Sequence, residues 1–319
     1  MFYLHLIHYI GFFGAQTFNS SLAILIIKRA GKLFGAYRHV MLIFAICSMW
    51  FSWVEILTQP VMHTKGSMLV VFIDHSNYSP EFGEFIIRLH CGSFAFLISV
   101  FPAQFFYRYA VLCDLKSLTY FSGPRILLLF LPSLAVYITF FELVKWGMSE
   151  SFEKRVYIKE ELKEQFDLDS MKIPMVAPYY WSLGPDGEKE WRFRDIMSSA
   201  MCSLIITVIS TMIIFFALKI YFHMKTDTAH MSSKTIELSK QLFRMLTVQI
   251  IVPFILMYIP VSFVIIFPFF GISLGEYTNY ASASIAIYPS IEPLIAMYCI
   301  SDFRETLRSD KVIRYQLKA

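Results

Sequence analysis

Three carboxylates, Glu55, Glu142 and Glu292, stand in stretches otherwise almost free of charge. A carboxylate in apolar surroundings is costly and persists where a hydrogen-bonding or cationic partner meets it. Such a group can hold a proton, pin neighbouring segments together or form part of a binding pocket. Glu55 lies in MWFSWVEILTQP (49–60). It either snorkels to the nearer membrane boundary or forms a pocket wall close to His90 or Arg88. Glu292 lies in YPSIEPLIAMY (288–298), between two prolines that free backbone carbonyls and bend a helix. It reads as a structural node or, with slightly more weight, as part of a switch.

Catalysis would need several ionisable groups converging at one depth, and two of the three carboxylates fall toward the outer ends of their runs. The chain has no HExxH, GxSxG, Walker A or strand-following GxGxxG motif. Its five cysteines, all in or beside apolar runs, make no CxxC or His/Cys cluster. The expectation is a protein that is not an enzyme, with no metal and no cofactor.

The elements that must position these residues follow from composition. The chain is 56% hydrophobic and 16% charged, with a mean hydropathy of +0.55. Soluble domains carry roughly a quarter charged residues, so lipid is the expected surrounding and nucleic acid is not an expected partner. Seven runs have spanning length: 4–27, 39–58, 85–107, 126–141, 196–221, 245–267 and 278–300. The first is long enough to serve as a signal anchor. The fourth is short unless it continues to Trp146. The apolar patch MLVVFI (68–73) is too short to span. No internal repeat is visible, against a transporter built from repeated halves.

Lysine and arginine set the orientation. The side facing the first, third and fifth inter-span loops and the C-terminus holds 17 of the 28 basic residues and six acids. That side is expected to be cytoplasmic, with the N-terminus outside. The sequon Asn77-Tyr-Ser then falls in the first outer loop, where Asn77 is a glycosylation candidate, while Asn19 of a second sequon lies inside the first span. The polar segment 145–195, with its charged helical stretch 151–166 and GPDG turn, is expected to fold as a lid over the outer mouth, or else to be a solvated loop. Domain organisation reads as one membrane unit over 1–303 and a short tail over 304–319.

Arg88 and Arg108 bracket a run of nineteen residues without formal charge, and Tyr107 and Tyr109 flank Arg108 where the run stops. Arginine and tyrosine at that depth fit an interfacial anchor. Pro253 and Pro260 lie one heptad apart in the sixth run, where a bent helix can act as a packing device or a lever. The approach SKQLFRML (239–246) and the tail 301–317 are basic and amphipathic, and the tail suits a short helix on the inner membrane surface.

Four segments, GKLFGAYRHVML (31–42), FFYRYAVL (105–112), LSKQLFRMLTVQIIVPFILMYIP (238–260) and YPSIEPLIAMYCISDFRETL (288–307), resemble nematode serpentine chemoreceptors of the Str superfamily, in order and over nearly the full chain. The resemblance implies a seven-helix G-protein-coupled receptor in the plasma membrane, in sensory cilia, with a heterotrimeric G protein and a small environmental molecule as partners. It implies that Tyr107-Arg108-Tyr109 corresponds to the aspartate-arginine-tyrosine motif of better-known receptors, here without the preceding acid. Pro293 to Tyr298 is similar to the proline-to-tyrosine motif of the seventh helix, with one extra residue. Lys240 and Arg244 would meet the G protein, and Glu292 would take part in switching. By depth, the ligand pocket draws on Glu55, His90, Phe94, Leu97, Ser203, Tyr258, Ser262, Tyr280 and Ser284, a mixture suited to a weakly polar molecule. For each of these, helix packing is also a sufficient reason to be where it is. The rival functions are a ligand-gated cation channel of opposite orientation and a non-signalling scaffold.

Overall fold

Ser79 opens one of the two longest described helices: its Oγ accepts from the Phe82 amide at 3.3 Å, Pro80 takes the first helical position and Glu81 faces the positive end of the helix dipole. The computed structural model describes residues 1–30, 35–74, 78–121, 123–226 and 233–307. It is a mostly helical bundle of α1 (Phe2–Leu25), α2 (Tyr37–Thr58), α3 (Pro80–Cys113), α4 (Leu131–Met148), α5 (Phe152–Phe166), α6 (Phe193–Thr226), α7 (Ser233–Pro253), α8 (Ile259–Phe269) and α9 (Asn279–Cys299). Six helical stretches are long and apolar enough to cross a membrane: Phe2–Lys28, Tyr37–Thr58, Pro80–Cys113, Gly123–Met148, Phe193–Lys225 and Ser239–Phe269. The stretch Gly275–Cys299, with a helix Ser301–Leu307 bent 97° from it, makes the seventh. The fourth span runs past Glu142 and Trp146 to Met148.

The two prolines of the sixth span bracket a change of ladder. α7 ends at Pro253, a π-helical turn occupies Phe254–Tyr258, and α8 resumes with Pro260 in its first turn. Pro293, inside α9, has no amide to offer the carbonyl of Pro289 four residues earlier. The Asn19 Nδ2 from α1 donates to that oxygen at 2.9 Å. Nearby, Gly11 and Gly14 let α1 lie directly on α9, since a Cβ on Gly11 would strike the Ala286 carbonyl.

At one end of the bundle, two small sheets and α5 form a capping layer that an all-helical expectation did not contain. β1 (Val61–Lys65) and β2 (Met68–Phe72) make a hairpin whose turn uses Gly66 at φ 52. β2 also pairs with β3 (Met175–Val176), about a hundred residues later. Alternation explains the patch that is too short to span. Met68, Val70 and Phe72 pack with Ile158 and Leu162 of α5, whereas Leu69 and Val71 face the bundle. Being covered on both faces, the strand carries apolar residues at every position. β4 (Trp181–Leu183) and β5 (Lys189–Trp191) close the GPDG turn. Tyr180 Oη and Trp181 Nε1 donate to the carbonyls of Ile265 and Phe269, each at 3.0 Å, fixing this layer to α8.

Two buried polar contacts hold the layer together. Lys154 Nζ lies 2.6 Å from Asp195 Oδ1, which also accepts from the Tyr179 amide at 2.9 Å; burial pushes the Lys154 ammonium down from its ordinary value, with Asp195 opposing. His63 on β1 lies 3.3 Å from Glu161 Oε1 on α5. Burial holds the imidazole below its ordinary value near 6.5, again with the carboxylate opposing. A histidine with a depressed folded value is protonated first in the unfolded chain, so its contribution is complete above about pH 6.5 and is lost as pH falls below it. Amide hydrogen exchange over 61–72, corrected for intrinsic rates, is therefore expected to accelerate on acidification, and His63→Gln to remove that dependence. Equal protection of the wild type on both sides of that value would contradict this.

Candidate functional site

The last turn of α2 carries Glu55, fully buried, just before the chain leaves the helix at Gln59 and Pro60. From α3, His90 Nε2 approaches Glu55 Oε2 to 2.5 Å. From α1, His8 Nδ1 lies 3.2 Å from Glu55 Oε1. One carboxylate thus ties three spans, with the Phe51 ring 5.7 Å from that of His90. One turn earlier on α1, His5 bonds Gln59 Oε1 at 2.8 Å and Asp74 Oδ2 at 3.0 Å, so two histidines of one helical face anchor the same corner. Among the described residues no group of three or more histidines, cysteines or acids is placed to hold a metal ion.

His90 is also on the wall of a cavity of about 110 Å³ directly under the capping layer. Met62, Leu69, Val71 and Val176 of the layer close it above, and Phe94, Cys202 and Val264 are among the side chains from the bundle. A second cavity of about 140 Å³ adjoins it, with Phe94, Ile206, Val261 and Ile265 on the walls of both. Ser203, Thr207, Tyr258 and Ser262 bring hydroxyl-bearing side chains to the second. Together they form a small, apolar, two-lobed space with a few hydroxyls at one end and an imidazole at the other.

Of the nine residues named from sequence for the pocket, His90, Phe94, Ser203, Tyr258 and Ser262 line these cavities. Glu55 stands behind His90, in contact with it, and lines neither cavity. Leu97 is core. Ser284 donates to the Ala281 carbonyl of its own helix at 3.0 Å. Tyr280 is 73% exposed and stacks on Tyr277 beside the start of α1, away from both cavities.

The family described as "Serpentine type 7TM GPCR chemoreceptor Str" matches residues 4–308. The chain belongs to the Str family of serpentine chemoreceptors. Among the proteins similar to this Str-family chain is serpentine receptor class r-10 of Caenorhabditis elegans, 27% identical over 297 residues that cover 91% of this chain and 86% of the relative. The Caenorhabditis briggsae protein of the same name is 26% identical, covering 92% and 86%. G-protein coupled receptor str-33 of Caenorhabditis elegans is 28% identical over 309 residues, covering 93% and 87%.

The far end of this Str receptor holds the residues named for switching. Arg108 is buried with its guanidinium 4.8 Å from the centre of the Tyr37 ring, which stacks on Tyr107 at 5.7 Å. No described carboxylate pairs with it. Asp114 instead caps the short helix Leu115–Thr119, accepting from Ser117. Tyr109 packs on Phe216 of α6. Glu292 is buried beside Pro293, one oxygen accepting from Gln249 Nε2 of α7 and the other without a hydrogen-bond partner among the described residues. Lys240 and Arg244 are exposed on α7. Tyr298 is 64% exposed on the outside of α9 rather than turned into the bundle. Asn77 lies outside the described residues.

Sequence reasoning missed His8, Gln249, Tyr37 and the strand residues over the cavity. His5 and His8 one turn apart in an apolar run, and Gln249 just before Pro253, were signals open to reading. Tyr37 and the strand residues gave none, because their roles depend on partners distant in sequence.

Proposed function

We propose that this receptor binds a small, weakly polar environmental molecule in the two-lobed cavity and transmits the event to a heterotrimeric G protein at the opposite end. The observation that carries the reading is the cavity itself, which lies under the capping layer between α3, α6 and α8. Its volume is below the range of about 300–1,000 Å³ usual for drug-sized ligands, so a small molecule is the fitting occupant. The capping layer faces outside as an extracellular lid and the C-terminus lies in the cytoplasm, supported by the bias of basic residues toward the other end. The membrane is the plasma membrane, in the cilia of sensory neurons.

Tyr258 supplies the link to motion. It lines the second cavity and ends the π-helical turn between Pro253 and Pro260. The same span is held to α9 through Gln249 and Glu292. A ligand that fits one packing of α7, α8 and α9 better than another shifts the population by that difference in affinity. The end of α7 then parts from α3, and Arg108, Lys240 and Arg244 meet the G protein.

A panel of small odorants and water-soluble compounds, read by calcium or cyclic nucleotide in cells expressing the chain, identifies an activator. Val261→Trp, which fills both lobes, is expected to weaken its potency at least about tenfold at unchanged surface level, by loss of the contacts and volume the ligand uses. Tyr280→Ala is expected to respond as wild type. An unaltered response in Val261→Trp would overturn the cavity assignment.

A further inference from the structure

Tyr298, turned away from the bundle, borders a surface groove of about 290 Å³ with Arg244 and Val248 of α7 and Ile291, Leu294, Ile295 and Cys299 of α9. Ile291, Leu294, Ile295 and Tyr298 lie at intervals of three and four, so they form one stripe, about 10 Å long at 1.5 Å per residue. The groove is on the outer face of two membrane spans and ends where α9 stops.

The chain turns there. The helix Ser301–Leu307 leaves α9 at 97° and is held to α7 by Gln241 Oε1, which accepts from the Ser301 amide at 3.2 Å and from its hydroxyl at 3.0 Å. Arg244 is one turn beyond Gln241 and Arg304 one turn beyond Ser301, so the two arginines flank one junction. The Arg304 guanidinium lies 5.7 Å from the centre of the Tyr298 ring. Both arginines are exposed, and neither pairs with a described carboxylate, Asp302 and Glu305 included.

We propose that this junction is a binding site for an anionic phospholipid, its acyl chain in the groove and its net-negative headgroup against Arg244 and Arg304. An apolar channel at membrane depth accepts a hydrocarbon chain, and the two guanidiniums near its polar end attract a headgroup of net negative charge. Anionic headgroups gain from each such cation near the membrane surface. The Tyr298 ring supports one of the two arginines from below. The site depends on the spans and not on the ligand cavity, so it stands or falls separately from the proposed receptor function.

The test is native mass spectrometry of the full chain in mild detergent, titrated with phosphatidylserine or with phosphatidylcholine of the same acyl chains. Phosphatidylserine is expected to be retained about tenfold better, from the added headgroup attraction of two basic residues. R244Q/R304Q should bring it down to the phosphatidylcholine level, and Leu294→Trp, which fills the groove, should lower retention of both lipids. Excess inorganic phosphate should displace neither. Because both arginines are exposed and have no described carboxylate partner, R244Q/R304Q is expected to keep the wild-type melting temperature. Wild-type retention by R244Q/R304Q, equal retention of the two lipids, or displacement by inorganic phosphate would overturn the proposal. So would retention that arises only after residues 308–319 are removed, since that segment would then be the occupant.

Discussion

Glu55→Ala is expected to destabilise the receptor by about 3–5 kcal/mol, the usual cost of removing one member of a buried polar cluster and stranding the others. His90 and His8 come from different helices and share this carboxylate. Its loss leaves two imidazoles buried with no other described carboxylate paired to them. Glu55→Gln keeps one acceptor oxygen for His90 and should lose much less. Thermal unfolding of detergent-purified protein checks both variants. Indistinguishable melting of wild type and Glu55→Ala would mean that the three-helix contact contributes little.

Arg108→Met should separate stability from signalling. Arg108 is buried against Tyr37 without a described acidic partner. Replacing it leaves no carboxylate unpaired, and removing a buried charge is often neutral or stabilising. The folded receptor is thus expected at the surface in at least wild-type amount. In the proposed mechanism the guanidinium meets the G protein once α7 moves. Losing a charge-assisted contact of about 1.5–3 kcal/mol should reduce ligand-evoked activation at least about tenfold. Activation measured against surface level decides this. Full signalling by Arg108→Met would remove Arg108 from the coupling role.

The spans were legible because lipid imposes one requirement, length without charge, that local sequence displays directly. Glu55 with His90 was legible for a related reason: a carboxylate in an apolar run needs a partner, and few polar side chains share its depth. The depth argument could not resolve which way a side chain turns about its helix. Tyr280 and Tyr298 lie at plausible depths and face outward, whereas Tyr258 faces in. The hairpin 61–72 was hidden for another reason. β2 is covered by α5 on one face and the bundle on the other, so it lacks the alternation that marks a half-buried strand, and its partner β3 is far along the chain. Asn19 read only as an inaccessible sequon. Its bond to the carbonyl freed by Pro293 became visible once α1 was seen against α9.

Epitope tags at the two termini, stained in intact and then permeabilised cells, test the central claim most directly. Ligand capture under the capping layer and G-protein contact at Arg108 both require opposite sides of the membrane. The account predicts an N-terminal tag stained on intact cells and a C-terminal tag stained only after permeabilisation. A C-terminal tag reached from outside, with the N-terminal tag hidden, would contradict it.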